Sequence, residues 1–162
     1  MQVLKFGGTS VGSVHNMAHV KTIINDGRPK VVVLSAMSGT TNALVDISES
    51  IRLGNQQLAL ELIGNLQQKY FQVVDELLQD TFLNSEALAY VESVFRLLQS
   101  HVEETHTQGV YNKIVAQGEM LSTFLFSRFL QQEGIHAQLV SALDFMRVDR
   151  TNEPICFTFS RT

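Results

Sequence analysis

The first twelve residues place a lysine, a glycine pair and two hydroxyls in an order that suits the binding of a phosphate group. A short apolar strand, residues 3–6, carries Lys5 and runs directly into Gly7 and Gly8. Thr9 and Ser10 follow before a helical pattern begins. A strand, a glycine turn and a helix start together direct backbone N–H groups toward one anion, and glycine permits both close approach and positive φ. The sequence therefore predicts a phosphate-binding turn.

This turn matches neither of the two common nucleotide-binding fingerprints. Gly7 and Gly12 have the P-loop spacing, but Ser13 stands where that motif requires its lysine. The dinucleotide fingerprint G-x-G-x-x-G is broken by Gly8 and the threonine after it. An ordinary strand-to-helix turn with a solvated lysine is the alternative. A lysine within an apolar strand, followed by two hydroxyls, favours phosphate binding.

The composition is that of a globular α/β protein and argues against several other classes. The 162 residues are 44% hydrophobic and 17% charged, with a net charge of −4 and no basic run. A nucleic-acid partner or an anionic membrane surface is therefore not expected. The single cysteine, Cys156, excludes an internal disulfide, and the five histidines lack metal-ligand spacing. A strand begins almost at once, so we expect no signal peptide and a cytoplasmic protein.

The opening strand, the helix from Val14 and the strand at residues 30–34 read as a βαβ unit that places a second polar loop beside the first. An amphipathic helix begins at Val14 and ends at residues 25–29, which contain Gly27 and Pro29. The β-branched run of residues 30–34 predicts a parallel strand buried on both faces. Residues 35–42 form the loop at its carboxyl end, and a helix follows from residue 43. Ligands of open α/β sheets bind at this edge.

Residues 55–133 change to a helical pattern. Two apolar stripes, within residues 62–77 and 88–102, predict two antiparallel helices whose stripes pack in the core. A third helix, residues 111–133, is apolar around much of its circumference, so we expect burial on more than one side. Gly118, Glu119 and Ser122 interrupt it. Glu119 could simply reach solvent or cap a helix, but its apolar neighbours favour a ligand contact.

Two further strands are predicted after this helical region. Residues 135–140 follow Gly134 and read as a third strand, and residues 155–160 alternate as a fourth strand would. Three or four strands are fewer than a doubly wound sheet normally has. The pattern thus predicts an incomplete α/β sheet with a helical subregion.

Three motifs, taken in their order and spacing, resemble those of aspartate kinases. They are Lys-Phe-Gly-Gly-Thr-Ser-Val-Gly at residues 5–12, Val-Leu-Ser-Ala-Met-Ser-Gly-Thr-Thr-Asn at 33–42, and Gly-Glu-Met-Leu-Ser at 118–122. The resemblance extends from Met1 to about Pro154 and is nearest to the kinase portion of bifunctional aspartokinase/homoserine dehydrogenases. It implies the amino acid kinase fold, a three-layer αβα sandwich around a mainly parallel sheet. The whole chain, 1–162, would be the N-terminal portion of the catalytic domain, without a regulatory ACT or a dehydrogenase domain.

The resemblance also implies a reaction and a role for individual residues. ATP and L-aspartate would give ADP and 4-phospho-L-aspartate, with Mg²⁺, in aspartate-family amino acid biosynthesis. Lys5 would contact the ATP phosphates, while Gly7 and Gly8 let the backbone approach them and Thr9 and Ser10 complete the phosphate-binding turn. Substrate contacts would come from three positions: Ser35, Thr41 and Glu119.

The chain also departs from the family pattern. Aspartate kinases continue with a Gly-Arg-Gly-Gly-Ser-Asp segment and a nucleotide-base region, which these 162 residues lack. We therefore expect no turnover by this chain alone. Two alternatives stay open: a folded, non-catalytic chain that binds aspartate weakly or forms homo-oligomers through apolar surface, and another amino acid kinase such as acetylglutamate kinase.

Overall fold

The computed structural model describes residues 1–145, except the side chains of Leu143 and Phe145. It contains two strands, six α-helices and a short 3₁₀ helix within these residues. In chain order, the elements are β1 Gln2–Phe6, α1 Val14–Ile24, β2 Lys30–Leu34, α2 Thr40–Arg52, α3 Gln56–Leu77, α4 Thr81–Ser100, the 3₁₀ helix His101–Glu103, α5 Gln108–Gln132 and α6 Ala142–Phe145.

The two strands pair in parallel, so the predicted βαβ unit is confirmed. Lys5 lies opposite Val33 in the register. The prediction that β2 is buried on both faces is wrong, because burial alternates along it. Val3, Val31 and Val33 share a face and are 64%, 40% and 44% exposed. A β-branched run indicates a strand, but how many faces are covered depends on what packs there, and no other part of residues 1–145 buries this face.

The predicted third strand at residues 135–140 is wrong, since this segment has no regular secondary structure. Gly134 has a left-handed φ of 70°, and the Ile135 N–H returns to the Leu130 carbonyl at 2.9 Å, which closes α5. A strand needs a neighbour to pair with, and an apolar pattern cannot supply one. The predicted strand at residues 155–160 lies outside the described residues.

The helical region holds most of the core. α3 packs against α4 across a connection of only residues 78–80, and α5 packs against α2 and α4. Tyr70, Phe95, Leu121 and Leu125 are at most 1% exposed. Both predicted apolar stripes therefore have the core role assigned to them. No helix within residues 1–145 has the length and apolarity required to cross a membrane.

Side-chain caps explain where four of these helices begin. Ser13, Asn55, Asp80 and Thr107 each accept a hydrogen bond from a backbone N–H in the first turn of α1, α3, α4 and α5, respectively. The predicted third helix is therefore longer than expected, starting at Gln108. Helix α2 differs: it begins at Thr40, earlier than predicted, and its N-cap, Gly39, has a left-handed φ of 78° and no side chain.

The predicted α/β architecture with a helical subregion is confirmed.

Candidate functional site

The predicted phosphate-binding turn, residues 7–12, is here called the opening turn. It joins β1 to α1 and contains two backbone hydrogen bonds. The Ser10 N–H donates to the Gly7 carbonyl at 2.9 Å, and the Gly12 N–H donates to the Thr9 carbonyl at 3.4 Å. Asn16 of α1 also donates its side-chain amide to the Thr9 carbonyl, at 2.6 Å. Within residues 1–145, the N–H groups of Gly8 and Thr9 donate in none of the backbone hydrogen bonds outside helices and strands. These donors remain available to an anion.

The glycines of this turn are required for packing rather than for positive φ. Neither Gly7, Gly8 nor Gly12 has a left-handed φ, so that expectation is wrong. A Cβ on Gly8 would lie 2.9 Å from the Ala36 carbonyl oxygen, too close for any side chain. A Cβ on Gly7 would meet no atom within 4 Å. Gly8 therefore lets the two loops touch, while Gly7 borders open space.

Residues 35–39, here called the second loop, lie directly against the opening turn. The Ser35 N–H donates to the Phe6 carbonyl at 3.0 Å, which continues the strand pairing by one residue. A Cβ on Gly12 would lie 2.8 Å from the Ser38 Cβ. Both contacts follow from parallel pairing, because the carboxyl ends of β1 and β2 meet at one sheet edge. The sequence prediction that two polar loops share this edge is confirmed.

Helix α3 reaches the far end of the second loop with two consecutive residues. The Lys69 ammonium donates to the Ser38 carbonyl at 3.0 Å, and the Tyr70 hydroxyl lies 3.0 Å from Thr40 Oγ1. Thr40 and Tyr70 are buried, whereas Thr41, in the first turn of α2, is exposed. Neither Lys69 nor Tyr70 was predicted from the sequence as a site residue, because Tyr70 belongs to an apolar core stripe and one lysine on a helix carries no signal.

Helix α5 also contacts the second loop. The Ser122 hydroxyl donates to the Ser35 carbonyl at 2.8 Å. A Cβ on Gly118 would lie 2.8 Å from the Ala36 Cβ and 3.3 Å from atoms of Leu44 and Thr40. Gly118 is therefore the point at which α5 approaches the loop, which explains a glycine in the middle of a long helix.

Glu119 lies on the exposed side of this contact. Helix α5 is buried on several sides, as predicted, yet the Glu119 side chain itself is exposed. Burial raises the pKa of the Tyr70 hydroxyl to about 12; the Thr40 hydrogen bond lowers it, and the Glu119 charge raises it further. The carboxylate is thus close enough to Tyr70 to affect it electrostatically. An exposed carboxylate beside the loop is available to a cationic group.

The structure thus brings all three sequence motifs around the second loop. Residues of the opening turn contact it at Ala36 and Ser38, and residues of α5 contact it at Ser35 and Ala36. Lys5 and Thr9 are exposed, while Ser10 and Ser35 are half-buried. The described residues thus supply a cation on β1, N–H donors and hydroxyls in the opening turn, and a carboxylate on α5. Such a set suits an anionic group and an ammonium group in one ligand.

The described residues offer no protein site for a metal ion. No group of three or more His, Cys, Asp or Glu side chains that could hold one occurs in residues 1–145. Mg²⁺ in phosphoryl transfer is held largely by substrate phosphates and one or two carboxylates. A magnesium ion that is bound with the nucleotide would therefore need only one or two carboxylates from the protein.

A separate cavity of about 240 Å³ lies on another part of α2, and none of the predicted site residues lines it. Ser48 and His106, joined at 2.9 Å between Oγ and Nε2, form part of its wall. Ser48 is fully buried in the middle of α2, and this bond ties α2 to the segment before α5. We assign the pair a structural role.

Comparisons with known proteins agree with this geometry. The profile of the Amino acid kinase family matches residues 1–156. The chain is similar to lysine-sensitive aspartokinase 3 of Escherichia coli strain K12, with 32% identity over 93% of this chain and 32% of that protein. It is also similar to the bifunctional aspartokinase/homoserine dehydrogenase 2 of the same strain, with 29% identity over 94% of this chain and 19% of that protein. The resemblance to aspartate kinases is confirmed.

A solved structure shows the same fold. E. coli aspartokinase III in complex with aspartate and ADP matches with a TM-score of 0.73 and 30% identity. The match covers 93% of this chain and 33% of that chain. This chain therefore spans about a third of the length of the aspartokinase 3 that it matches.

Proposed function

The chain belongs to the amino acid kinase family, and on that premise we propose that it forms the phosphate-binding part and some of the amino-acid-binding part of an aspartate kinase. The reaction is the transfer of the γ-phosphoryl group of ATP to the side-chain carboxylate of L-aspartate. One observation carries the proposal: the three motifs meet at the second loop, through Gly8, Gly118 and Ser122. The relatives and the aspartate- and ADP-bound neighbour support the choice of substrate.

The proposed reaction does not depend on a general acid or base from the protein. The aspartate side chain has a reference pKa of about 3.9, so its oxygen is already an anion at neutral pH. This oxygen attacks the γ-phosphorus, and the bond to the β–γ bridging oxygen breaks to release ADP. No general base is needed, and catalysis consists of positioning and neutralising phosphate charge. This matches a region with a lysine, free N–H groups and hydroxyls.

Each residue then has a distinct role in the proposal. Lys5 neutralises charge on the phosphates, and the backbone at Gly7 and Gly8 approaches them, with Thr9 and Ser10 in the same turn. Glu119 pairs with the α-ammonium group of aspartate. Ser35 and Thr41 orient the substrate or phosphate by hydroxyl hydrogen bonds. Mg²⁺ supplies charge neutralisation when it enters with the nucleotide, and the described residues contribute no three-ligand site for it. The whole chain is part of one catalytic domain, with residues 55–133 as its helical subregion.

Ligand titration of the isotope-labelled chain tests the proposal. We expect magnesium–ADP to shift the amide resonances of residues 5–10, and L-aspartate to shift those of residues 35–41 and 119. N-acetyl-L-glutamate is the matched control, because an acetylglutamate kinase would respond to it instead. Aspartate that moves no resonance in these segments would contradict the assignment.

A turnover assay addresses the chain by itself. We expect no aspartate-dependent ADP release with Mg²⁺, since the family's Gly-Arg-Gly-Gly-Ser-Asp segment does not occur in these residues. Clear release would show that the region described here suffices for catalysis.

A further inference from the structure

We propose that Lys69 is a positioning residue of the site, which holds the second loop through the Ser38 carbonyl and thereby sets Ser35 and Thr41 for aspartate. This inference rests on the proposed function and extends it to helix α3, which carries none of the three motifs. The Lys69 ammonium lies 3.0 Å from the Ser38 carbonyl oxygen, and its side chain is half-buried. A hydrogen bond from a charged donor is stronger than one between neutral groups.

The charge of Lys69 is directed at the loop and not at a carboxylate. Lys21 and Lys30 each pair with an acidic side chain, whereas Lys69 takes part in no salt bridge in the part of the chain that the structure describes. Its hydrogen bond to Ser38 joins residues 31 positions apart in sequence. A lysine that merely made α3 soluble would extend into water. Here it bridges two elements.

The bonded carbonyl directly precedes Gly39, the last residue of the second loop. Gly39 has a left-handed φ of 78°, and a Cβ placed on it would lie 3.9 Å from the Lys69 Nζ. Helix α2 begins directly after Gly39 without a side-chain cap. The start of α2 therefore lacks the side-chain cap found at α1, α3, α4 and α5, and its local bond is the one from the Thr40 N–H to the Met37 carbonyl at 3.0 Å. Lys69 adds a constraint from a distant element to this backbone bond.

The next residue of α3 constrains the other side of Gly39. Tyr70 is 1% exposed, and its hydroxyl lies 3.0 Å from Thr40 Oγ1. Consecutive helical residues project about 100° apart around the axis, so the two bonds hold the loop from different directions. Thr41 follows Thr40 directly, so a displacement of this point would move a predicted substrate contact. Lys69 and Tyr70 therefore act through the loop and not on the substrate.

Hydrogen exchange and aspartate titration of variants test this role. Lys69→Met should speed amide exchange about three- to tenfold at Thr40 and Ala43, whose N–H groups donate to the Met37 and Gly39 carbonyls, since it removes a partly exposed, charge-assisted hydrogen bond from the same loop. Lys69→Arg should retain protection, because the guanidinium can donate to the same carbonyl. Lys113→Met on α5 is the matched control, an exposed lysine whose side chain makes no hydrogen bond or salt bridge among the described residues. Tyr70→Phe, which removes the hydroxyl bonded to Thr40, should speed exchange at the same amides.

The two readouts separate this inference from the proposed function. If the unmodified chain binds aspartate, Lys69→Met should weaken binding about three- to tenfold, and Lys69→Arg should restore it. If the unmodified chain does not respond to aspartate, the proposed function fails, while the exchange data still decide whether Lys69 orders the loop. Unchanged exchange at Thr40 and Ala43 in Lys69→Met, or equal changes in Lys113→Met, overturns the inference.

Discussion

The helical region buries its apolar side chains, whereas the two-stranded sheet leaves those on one face exposed. In the helices, Tyr70 and Phe95 are 1% and 0% exposed, with ring centroids 6.0 Å apart. In the sheet, Val3 and Val33 are 64% and 44% exposed although they belong to apolar strands. The predicted site residues lie around the carboxyl ends of the strands, on β1, on the two loops and on the parts of α2 and α5 that adjoin them. The helices therefore dominate stability, and the sheet edge carries the ligand-binding groups.

Removal of the buried Phe95 ring should have the largest effect on stability. Phe95→Ala should lower the free energy of unfolding by about 3–5 kcal/mol, because removal of the buried ring leaves a cavity in the core. Val3→Ala in the sheet should change it by less than about 0.5 kcal/mol, since the side chain is mostly exposed. Urea unfolding of both variants measures the contrast. Equal losses would show that the sheet is as important to stability as the helices.

Alkaline pH should weaken the contact between the two regions through Tyr70. Its pKa is raised to about 12 from the ordinary 10, so the folded state keeps the neutral hydroxyl. This stabilisation is complete below pH 10 and is lost as the pH rises toward 12, by about 3 kcal/mol in total.

The Tyr70→Phe variant isolates this contribution from other groups that titrate at high pH. It should lack the additional loss of stability, and the late step in the ultraviolet titration of tyrosine should disappear with it. A step that persists in Tyr70→Phe would assign the late titration to another tyrosine.

Alanine substitutions at two helix glycines compare a helix surface packed against the second loop with an open helix surface. Gly118→Ala should destabilise the chain by about 1–3 kcal/mol, because the new Cβ would overlap Ala36. Gly64→Ala in α3 should stabilise it by up to about 1 kcal/mol, since a Cβ there meets no atom within 4 Å. Thermal unfolding gives the two signs. Stabilisation by Gly118→Ala would contradict the close approach of α5 to the second loop.

The two charges of the site should affect ligand binding with little effect on stability. Both Lys5 and Glu119 are exposed, so alanine at either position should change the free energy of unfolding by less than about 0.5 kcal/mol. Lys5→Ala should weaken binding of magnesium–ADP about tenfold, and Glu119→Ala that of aspartate by a similar factor, because each removes a charge-assisted contact. Calorimetric titration of each variant with each ligand checks the separation. Loss of both ligands in both variants would indicate a general disturbance of the loops.

Prediction from the sequence succeeded where the relevant forces are local. Glycines, caps and apolar periodicity determine where α1, α3, α4 and α5 lie, and the pattern of β2 was unambiguous. It failed at residues 135–140, where a strand would need a partner, and at the outer face of the sheet. The roles of Gly8 and Gly118 were only partly predicted, because the atoms that a Cβ would meet come from residues far along the chain.

For the site, the sequence by itself determined which chemical groups are present and in what order: a lysine before glycines, a hydroxyl-rich second loop and a glutamate within an apolar helix. The tertiary structure alone decided that these groups meet at the second loop, that Glu119 is exposed, and that Lys69 and Tyr70 hold the same loop. Contacts such as Lys69 with Ser38 and Ser122 with Ser35 join residues 31 and 87 positions apart. Only packing of the whole chain creates such contacts, because no local pattern encodes which distant backbone group a side chain will reach.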